Sequence, residues 1–387
     1  MAPKPKDRLL YFVALDSYFV SHRLTLALRA KERGYEVHVL TSNGRYIQEI
    51  ENAGFKVHTL KVDRASLNPL SELRVILSVA RVIRQVRPTI IHNVALKPVV
   101  YGSIASIFGG RPRVINLIAG LGSGFAKQGR SAHALRLAIL GLLRVAVSAS
   151  GSHVVVQNED DLEELVKGKV VAPRNASLIR GSGVDTEAFH PTTRPDRVPV
   201  VVLPSRLLRS KGVEDFVDSA RRLLAQGVVA RFVLVGTPDP NNRNSVTADQ
   251  IAGWDAEGSV EIWGWRNDMP TVFASADIVC LPTRYREGIP KSLIDAASCG
   301  LPLVATNTPG CRDIVRHGLN GYTVNVDDAD SLDSSLKKLI ADRSMRLRMG
   351  AESRALVESE FAEEIVLAQT LSLYESSPAG AESKVLS

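Results

Sequence analysis

Residues 278–300, IVCLPTRYREGIPKSLIDAASCG, form one strand–loop–helix pattern. An apolar strand ends in a polar loop, and Pro290 stands at a first-turn position of the short helix that follows. Such a helix start offers unpaired backbone N–H groups and a positive dipole end, which together attract a phosphate. Glu287 lies in the loop and Asp295 follows eight residues later, about two helical turns away, so both carboxylates can touch one ligand.

The same alternation of strand and helix extends through the chain. A first series of strand patterns is LLYFVAL, EVHVL, KVHTL, TIIH, RVINLI and HVVVQ, and a second series is VPVVVLP, ARFVLVG, VEIWGW, DIVCLP and PLVAT. Alternating strands and helices predict parallel sheets with helices on both faces. We therefore expect an α/β fold of two doubly wound, Rossmann-like domains facing a cleft, with Pro191 to Pro199 as the linker.

Composition limits the kind of protein and its partners. The chain has 387 residues, of which 45% are hydrophobic and 23% charged, as in soluble proteins with sizeable cores. Its net charge of +7 suits a phosphate-rich partner, whether nucleotide, nucleic acid or anionic lipid. The three cysteines show no metal-ligand spacing and indicate reduced thiols in a cytosolic protein. The basic N-terminus and the short strand after it do not fit a signal peptide.

One helical stretch, Ala132 to Ala149, is unusually apolar. Arg136 and Arg144 interrupt it, so it is a poor membrane span, which needs about 20 apolar residues. Together with Arg130 they can reach lipid phosphates while the leucines contact acyl chains, which predicts a helix lying on an anionic membrane surface. The alternative is a buried core helix whose arginines are paired.

The two acids of the opening stretch resemble the signature of the retaining family 4 glycosyltransferases. In that family the first acid contacts the donor sugar and the second, usually Glu, accepts hydrogen bonds from the ribose hydroxyls. The resemblance implies these roles for Glu287 and for Asp295, which is one methylene shorter than Glu. It also implies the GT-B architecture, with an N-terminal acceptor domain (1–192), a donor domain (193–358) and a last helix (359–375) that crosses back to the N-terminal domain. Residues 376–387 read as a disordered tail. The alternative for the signature is an ordinary loop and helix with two solvated acids.

Other segments of the second domain resemble the same family. Pro204 to Gly212, PSRLLRSKG, resembles the segment in which Arg206 and Lys211 neutralise the donor diphosphate, and it could otherwise be a solvated basic loop. Glu261 to Pro270, EIWGWRNDMP, resembles the turn that frames the nucleobase, which implies base contacts for Trp265 and Arg266 unless the tryptophans belong to the core. The donor phosphates would meet the helix opening, formed by Gly288, Ile289, Pro290 and Lys291.

Candidate acceptor residues of the first domain follow its strands, where doubly wound sheets bind ligands. They are Asp16, Ser21, His22, Arg23, His92, Lys97, Gly120, Leu121 and Gly122. The stretches 64–69, 91–102 and 119–125 closely resemble those of bacterial enzymes that extend polyprenyl-diphosphate-linked oligosaccharides, including N-acetylgalactosaminyltransferases. Many family 4 enzymes carry a catalytic His where this chain has Gly120 to Gly122, and no His stands there.

Two patterns resemble other sites only superficially. Gly120 to Gly124 looks like a dinucleotide loop but lacks the full spacing and the acidic partner. Asp328 and Asp330 look like a metal-binding acid pair, and we expect them instead to cap a helix that begins near Ser331.

The expected function is a retaining, metal-independent transferase that is cytoplasmic and peripheral on the inner face of the cytoplasmic membrane. The resemblance implies a UDP-hexose or UDP-N-acetylhexosamine donor and a polyprenyl-diphosphate-linked acceptor, and no nucleic acid. One alternative is a nucleotide-sugar-binding protein without transferase activity. Another is a transferase that acts on a soluble acceptor.

Overall fold

A computed structural model describes residues 7–60, 68–122, 125, 129–239 and 242–375. The chain divides into two compact units. The first consists of the described parts of 1–182 and 366–387, and the second of the described parts of 183–365. Each unit is built on one parallel sheet, as the strand–helix alternation predicts.

The first unit contains a seven-stranded sheet in the order β3-β2-β1-β4-β5-β6-β7. Its strands are β1 (Arg8–Val13), β2 (Glu36–Thr41), β3 (Lys56–Thr59), β4 (Ile90–Val94), β5 (Arg113–Ile118), β6 (His153–Val156) and β7 (Ala176–Leu178). Its helices are α1 (Asp16–Glu32), α2 (Ile47–Asn52), α3 (Pro69–Val86), α4 (Leu96–Gly109), α5 (Arg130–Ser150) and α6 (Glu159–Lys167). All described strand pairs are parallel, so the carboxyl ends of the strands share one edge of the sheet.

Two apolar cores cover the faces of this sheet. Residues of α3, α4, α5 and α6 share one core with Leu10 and Phe12. Residues of α1 share the other with Leu9 and Tyr11, since alternate residues of β1 point to opposite faces. The last helix of the described residues, α14 (Glu363–Glu375), adds Val366, Leu367, Leu371 and Tyr374 to this second core.

The second unit contains a six-stranded parallel sheet in the order β10-β9-β8-β11-β12-β13. Its strands are β8 (Val200–Pro204), β9 (Arg231–Val235), β10 (Glu261–Gly264), β11 (Ile278–Leu281), β12 (Leu303–Thr306) and β13 (Gly321–Val324). Its helices are α7 (Val213–Ala225), α8 (Ala248–Glu257), α9 (Met269–Ala274), α10 (Lys291–Ser298), α11 (Cys311–Ile314), α12 (Ala329–Ala341) and α13 (Arg343–Leu356). In both sheets the strand order reverses at one point, between β1 and β4 and between β8 and β11. This confirms the prediction of two doubly wound domains.

The segment predicted to be a linker packs within the second unit. Arg194 donates hydrogen bonds to the backbone carbonyls of Ala276 (3.2 Å), Cys299 (2.7 Å) and Gly300 (3.2 Å). Earlier in the chain, the Val184 N–H donates to the Phe361 carbonyl at 3.1 Å. These bonds explain why the division between the units falls at residues 182 and 183, rather than at the proline-bearing stretch.

Two strands of the structure are missing from the sequence prediction. They are β7, with three residues, and β13, with four, and each lies at an edge of its sheet. Every residue of β7 is half-buried, and only the two end residues of β13 are fully buried, so neither strand has the apolar run that predicts a buried strand.

Candidate active site

Two loops of the second unit meet where its strand order reverses. One follows β8 and the other follows β11. The Arg284 N–H donates to the Ser210 carbonyl at 2.9 Å, and the Thr283 hydroxyl lies 3.0 Å from the same oxygen. Ligands of doubly wound sheets bind at this kind of switch point, so the contact between the loops defines the candidate site.

Lys211 and Glu287 form the centre of this site. The Lys211 Nζ lies 2.6 Å from both carboxylate oxygens of Glu287. The two side chains are only 17% and 13% exposed, so water screens the pair less than it would a surface ion pair. The Thr283 hydroxyl lies 3.1 Å from Glu287 Oε1. The site therefore holds the Lys211 ammonium against the Glu287 carboxylate, with one side chain from each loop.

Close backbone contacts hold these loops against their neighbours. Gly310 has a φ of +84°, and a Cβ built there would lie 1.4 Å from the Gly288 carbonyl oxygen. Gly212, with a φ of +74°, would similarly place a Cβ 2.0 Å from the Pro282 carbonyl oxygen. Only glycine adopts these conformations at little cost and leaves room for the facing backbone. The loop geometry thus depends on two glycines outside the acidic signature.

Helix α10 carries the second acid of the signature. Asp295 is only 6% exposed, and the Lys291 Nζ donates to its Oδ1 at 2.8 Å. Burial raises the pKa of the Asp295 carboxyl, and the nearby Lys291 charge opposes that rise. Pro290 was predicted to lie in the first turn of this helix. It is instead the N-cap, and the helix begins at the next residue, Lys291. The Ile289 side chain lies in the core, so this residue can meet a ligand only through its backbone.

Arg206 extends away from the ion pair of the two loops. Its Nη1 donates to Asp239 Oδ2 at 3.1 Å, in the loop after β9, and its side chain is 54% exposed. The structure therefore brings Lys211 together with Glu287 and pairs Arg206 with Asp239. Sequence reasoning did not find Asp239 or Thr283, because neither stands in a recognised spacing with the acids.

The two tryptophans at the end of β10 have different surroundings. Trp263 packs against the core, and its Nε1 donates to Glu261 at 3.1 Å. Trp265 is 51% exposed. Arg266 donates two hydrogen bonds to Asp268, at 2.7 and 2.5 Å. The exposed ring and the paired guanidinium lie after β10, the edge strand of the sheet.

In the first unit, Asp16 joins the loops that follow β1 and β2. Its side chain is only 5% exposed and accepts hydrogen bonds from the backbone N–H groups of Ser17 and Tyr46, both at 2.8 Å. His22 stacks on Tyr18, with ring centroids 4.0 Å apart and planes 4° from parallel. The His22 Nδ1 lies 2.6 Å from the Ser21 hydroxyl. Asp16 thus holds the backbone, while His22 lies in a partly exposed stack.

His92 and Arg23, also predicted on the acceptor side, are buried within the first unit. His92 is 1% exposed because it lies inside β4, with its ring against the face that α14 covers, and Arg23 is 3% exposed. The Tyr374 hydroxyl lies 2.6 Å from His92 Nδ1 and 3.0 Å from the Tyr11 hydroxyl. Burial, with a smaller contribution from the Arg23 charge, lowers the pKa of His92 to about 3. The prediction that these two side chains reach the sheet edge needs correction, since both point into the protein.

The remaining acceptor-side candidates lie near the carboxyl edge of the first sheet. Lys97 donates to Glu72 Oε1 at 3.2 Å. Gly120 and Gly122 both have positive φ, of +93° and +78°. The Leu121 side chain is buried in the core, so only its backbone can meet a ligand. Residues 64–67, 123 and 124 of the resembling stretches, and the predicted tail 376–387, lie outside the described residues.

The apolar helix of the sequence prediction is α5. Among the described residues it is the one helix long and apolar enough to cross a membrane by length and composition, and only 28% of its most apolar stretch is buried. Arg136 is bound by Glu164 through two hydrogen bonds, one of them 3.0 Å long, whereas Arg130 and Arg144 are exposed. The structure thus contradicts a fully buried core helix, and it also shows that Arg136 already has a protein partner.

The possible metal ligands and the cysteines were also located in the structure. Among the described residues, no group of three His, Cys, Asp or Glu side chains is placed to hold a metal ion. The Asp328 side chain accepts from the Ser331 N–H at 3.0 Å, which confirms its predicted role as a helix cap. The three cysteines are free and buried, and burial raises the pKa of Cys299 and of Cys311 to about 12.

Sequence comparisons place both units among sugar transferases. Residues 8–158 match the family described as "Glycosyl transferase 4-like". Residues 198–342 match "Glycosyl transferases group 1". Together the two matches span most of each unit.

Two curated relatives extend the match along the chain. The N,N'-diacetylbacillosaminyl-diphospho-undecaprenol alpha-1,3-N-acetylgalactosaminyltransferase of Campylobacter jejuni is 27% identical and aligns with 91% of this chain and 94% of its own length. The UDP-Gal:alpha-D-GlcNAc-diphosphoundecaprenol alpha-1,3-galactosyltransferase of Escherichia coli is 23% identical, over 73% of this chain and 74% of its own length.

Solved structures share the fold. Anabaena HepE in complex with UDP and glucose superposes with a TM-score of 0.76 at 19% identity, covering 95% of this chain and 99% of HepE. Sucrose-phosphate synthase from Thermosynechococcus elongatus gives a TM-score of 0.77 at 18% identity, covering 96% of this chain and 98% of the synthase. The two doubly wound domains of this chain therefore have the GT-B fold of these structures. The chain belongs to the family 4 glycosyltransferases.

Proposed function

We propose that this glycosyltransferase moves a hexose or N-acetylhexosamine, with retention, from a UDP-sugar to a polyprenyl-diphosphate-linked saccharide. The observation that carries the donor part is the Lys211–Glu287 ion pair, at 2.6 Å, where the second sheet reverses its strand order. A cation and a carboxylate held together suit a ligand with a diphosphate on one side and sugar hydroxyls on the other. Lys211 would bind the diphosphate, and Glu287 would accept hydrogen bonds from the sugar.

The reaction uses the leaving group as its base. The bond between the anomeric carbon and the diphosphate oxygen breaks, and the acceptor oxygen bonds to that carbon on the same face. The acceptor proton passes to the departing diphosphate oxygen. Lys211, Arg206 and the backbone N–H groups at the start of α10 stabilise the negative charge that develops there. These groups supply positive charge without a metal ion, so the proposed reaction is metal-independent.

The other donor-side residues bind the nucleoside. Asp295 would accept hydrogen bonds from the ribose hydroxyls, which requires the Lys291 ammonium to share its carboxylate with the ligand. The base would meet the turn at Trp265 and Arg266. In this scheme Arg206 leaves the Asp239 carboxylate, which is 16% exposed, to contact the diphosphate. The diphosphate carries two negative charges and the carboxylate only one, so the guanidinium binds the diphosphate more strongly.

The acceptor assignment rests on the relatives. Both curated relatives carry names that specify a sugar attached to undecaprenol through a diphosphate. In this chain, His22, Lys97 and the backbone of Gly120 to Gly122 would contact the acceptor at the carboxyl edge of the first sheet. Asp16, Arg23 and His92 would act beneath them as positioning residues, because their side chains are buried.

A lipid-linked acceptor places the enzyme at a membrane. We propose that it is peripheral on the cytoplasmic face, attached through α5, whose exposed leucines and arginines suit an anionic lipid surface. Arg130 and Arg144 would reach lipid phosphates. Arg136 would not, because Glu164 already binds it.

Thermal shift with a panel of UDP-, GDP- and ADP-sugars tests the donor assignment. Ligands that bind only the native state raise its stability in proportion to the logarithm of their concentration over Kd, so UDP-sugars should raise Tm more than the others. Lys211→Ala should reduce the shift, while Lys337→Ala, an exposed lysine of the same unit, should retain it. An equal shift with all three nucleotides would contradict the UDP assignment.

Flotation with anionic vesicles tests the membrane attachment. Wild type should float, and Arg130→Glu with Arg144→Glu should not. A matched control is Lys337→Glu with Arg348→Glu, two exposed residues of the second unit that produce the same change in net charge. If the control loses binding as fully as the α5 variant, net charge rather than α5 determines attachment.

A further inference from the structure

Arg23 places a positive charge in the interior of the first unit. Its side chain is 3% exposed, and its Nε and Nη2 atoms are buried without a hydrogen-bond partner in the protein. Among the described residues, it is the one Lys or Arg that has buried nitrogen atoms without a partner. A buried charge of this kind is strongly destabilising unless something binds it, because burial removes the water that would solvate it.

Other buried or half-buried arginines of this protein are bound by backbone carbonyls. Arg346, which is 8% exposed, donates from Nη1 to the carbonyls of Leu339 at 2.7 Å and of Ile340 at 2.8 Å. Arg194 donates to three backbone carbonyls. The fold therefore satisfies these two guanidinium groups with its own acceptors, and it does not do so for Arg23.

Acidic side chains do not neutralise Arg23 either. No carboxylate of the described residues forms an ion pair with it. Asp16 lies on the same buried face of α1, about two helical turns earlier. Its carboxylate oxygens accept from the backbone N–H groups of Ser17 and Tyr46 instead. The charge of Arg23 thus has no counter-ion in the part of the first unit that the structure describes.

Three polar rings lie near the Arg23 guanidinium. Tyr11 on β1 and His92 on β4 are paired in register, with ring centroids 5.3 Å apart, and the Tyr374 hydroxyl contacts both side chains. Burial lowers the pKa of His92, and the Arg23 charge adds to that effect. Burial raises the pKa of both tyrosines, and the Arg23 charge opposes it. An effect on all three rings places the guanidinium close to each of them.

These rings supply hydrogen-bond donors but no negative charge. Both tyrosines are protonated and His92 is neutral at pH 7, because all three are buried. The His92 Nε2 is also buried and has no partner. When the Tyr374 hydroxyl donates to Nδ1, Nε2 carries the ring proton. The Nε2–H group and the Arg23 N–H groups are then buried donors that share one region and lack an acceptor, a pattern that an ion explains.

We propose that the Arg23 guanidinium and the His92 Nε2–H group bind one small monovalent anion, such as chloride, inside the first unit. One negative charge neutralises the single guanidinium. A phosphate would bring up to two charges into a nearly inaccessible site, at a higher desolvation cost. His92 stays neutral beside the anion, because burial is the larger cause of its lowered pKa. This inference is independent of the transfer reaction proposed above.

Crystals of the full chain grown in sodium bromide test the site without any substitution. Bromide resembles chloride in charge and size, and it scatters anomalously near its absorption edge, whereas water does not. We expect an anomalous difference peak in contact with the Arg23 guanidinium and the His92 ring. An ordered Arg23 side chain with no such peak beside it, or with a water molecule in that position, would overturn the inference.

Thermal denaturation tests the site in solution, with gluconate replaced by chloride at constant ionic strength. A ligand that binds only the native state raises stability as its concentration rises above Kd, so the Tm of wild type should increase. Arg23→Gln should lose most of this increase. The matched control is Arg29→Gln, an exposed position of the same helix, and it should respond like wild type. An equal response in all three proteins would show that chloride acts elsewhere.

Phosphate provides the final comparison. At the same ionic strength it should not replace chloride, because the site fits one small monovalent charge. A Tm increase that phosphate produces, that chloride does not and that Arg23→Gln removes would contradict the proposal and assign Arg23 to a phosphate group instead. If Arg23→Gln does not fold, the bromide peak alone decides between the anion and its absence.

Discussion

The Lys211 Nζ lies 2.6 Å from both carboxylate oxygens of Glu287. The lysine comes from the loop after β8 and the glutamate from the loop after β11, the two strands at which the second sheet reverses its order. The two side chains are separated by 76 residues in sequence. Their contact joins the segment Pro204 to Gly212 and the acidic signature into one site. The first three predictions concern this site.

Replacing Lys211 with Ala should lower kcat by ~100-fold or more, as removal of one oxyanion donor does in other enzymes. The loss has two sources, because the variant removes the charge that stabilises the leaving diphosphate and also leaves the Glu287 carboxylate without its cation. Arg206→Ala should lower kcat too, with little effect on Tm, since Arg206 is exposed and surface ion pairs contribute little to stability. Steady-state kinetics with Lys337→Ala as control will measure both. Wild-type kcat in both variants would remove the proposed phosphate contacts.

Gly310→Ala should disrupt the acid loop, and Gly318→Ala should not. Both glycines have positive φ, of +84° and +76°, which residues with a Cβ rarely adopt, so both substitutions carry a backbone cost. They differ in their surroundings, because a Cβ at Gly310 meets the Gly288 carbonyl oxygen at 1.4 Å whereas nothing lies within 4 Å of a Cβ at Gly318. Denaturant unfolding and activity assays should show a larger loss of both stability and turnover for Gly310→Ala. Equal losses would mean that the contact with Gly288 is unimportant.

Asp295→Ala should weaken the binding of UDP itself, and Glu287→Ala should reduce turnover more than UDP affinity. This difference follows from the proposed roles, in which Asp295 contacts the ribose and Glu287 contacts the transferred sugar. Isothermal titration calorimetry with UDP, and with the complete donor, separates the ribose contact from the sugar contact. Asp295→Asn retains the volume of the side chain and serves as the matched variant. If UDP binds Asp295→Ala as tightly as wild type, the ribose contact lies elsewhere.

The buried His92 predicts a stability loss in acid. Its pKa is lowered from 6.5 to about 3, so below pH 6.5 the unfolded chain takes up a proton that the folded chain does not. The contribution of His92 to stability is therefore complete above pH 6.5 and falls as pH drops toward 3, by about 1.4 kcal/mol per pH unit. His38, His58 and His153 also have lowered pKa values, with the same sign.

Comparing variants isolates the His92 contribution. Chemical denaturation between pH 7.5 and 5.0 should show a shallower pH dependence in His92→Gln, which can still accept a hydrogen bond from Tyr374. His133→Gln, at an exposed position, should retain the slope of wild type. Identical slopes in all three proteins would show that His92 is not buried in its neutral form.

Sequence patterns predicted both sheets because parallel central strands give long apolar runs that alternate with helices. The same feature concealed the position of His92. In a strand that is buried on both faces, every side chain packs against a covering layer. A polar residue at the predicted end of such a strand can therefore lie at the edge of the sheet or beneath a helix, and the sequence pattern does not separate the two positions. In this protein, α14 covers His92 with Tyr374, from 282 residues away in sequence, and no local pattern contains that information.

Long-range pairing also determined what the charged residues do. The spacing of arginines on α5 predicted a lipid-binding row, and the helix is indeed largely exposed. However, Glu164 on the neighbouring α6 binds Arg136, and Asp239 binds Arg206 in the same way. The acidic signature, in contrast, was visible because its two acids are fixed by one local loop–helix unit. Local units were therefore predictable, whereas the partners of long side chains depended on tertiary packing.

Transfer of sugar to a polyprenyl-diphosphate-linked saccharide can be measured in the presence of EDTA, with the anomeric configuration of the product determined by NMR, and this measurement tests retaining, metal-independent transfer. With the preferred UDP-sugar, we expect a new glycosidic bond in the α configuration of the donor, at a rate that EDTA does not reduce and that Lys211→Ala reduces by ~100-fold. A product of inverted configuration, or release of UDP with no transfer to any lipid-linked acceptor, would contradict this expectation.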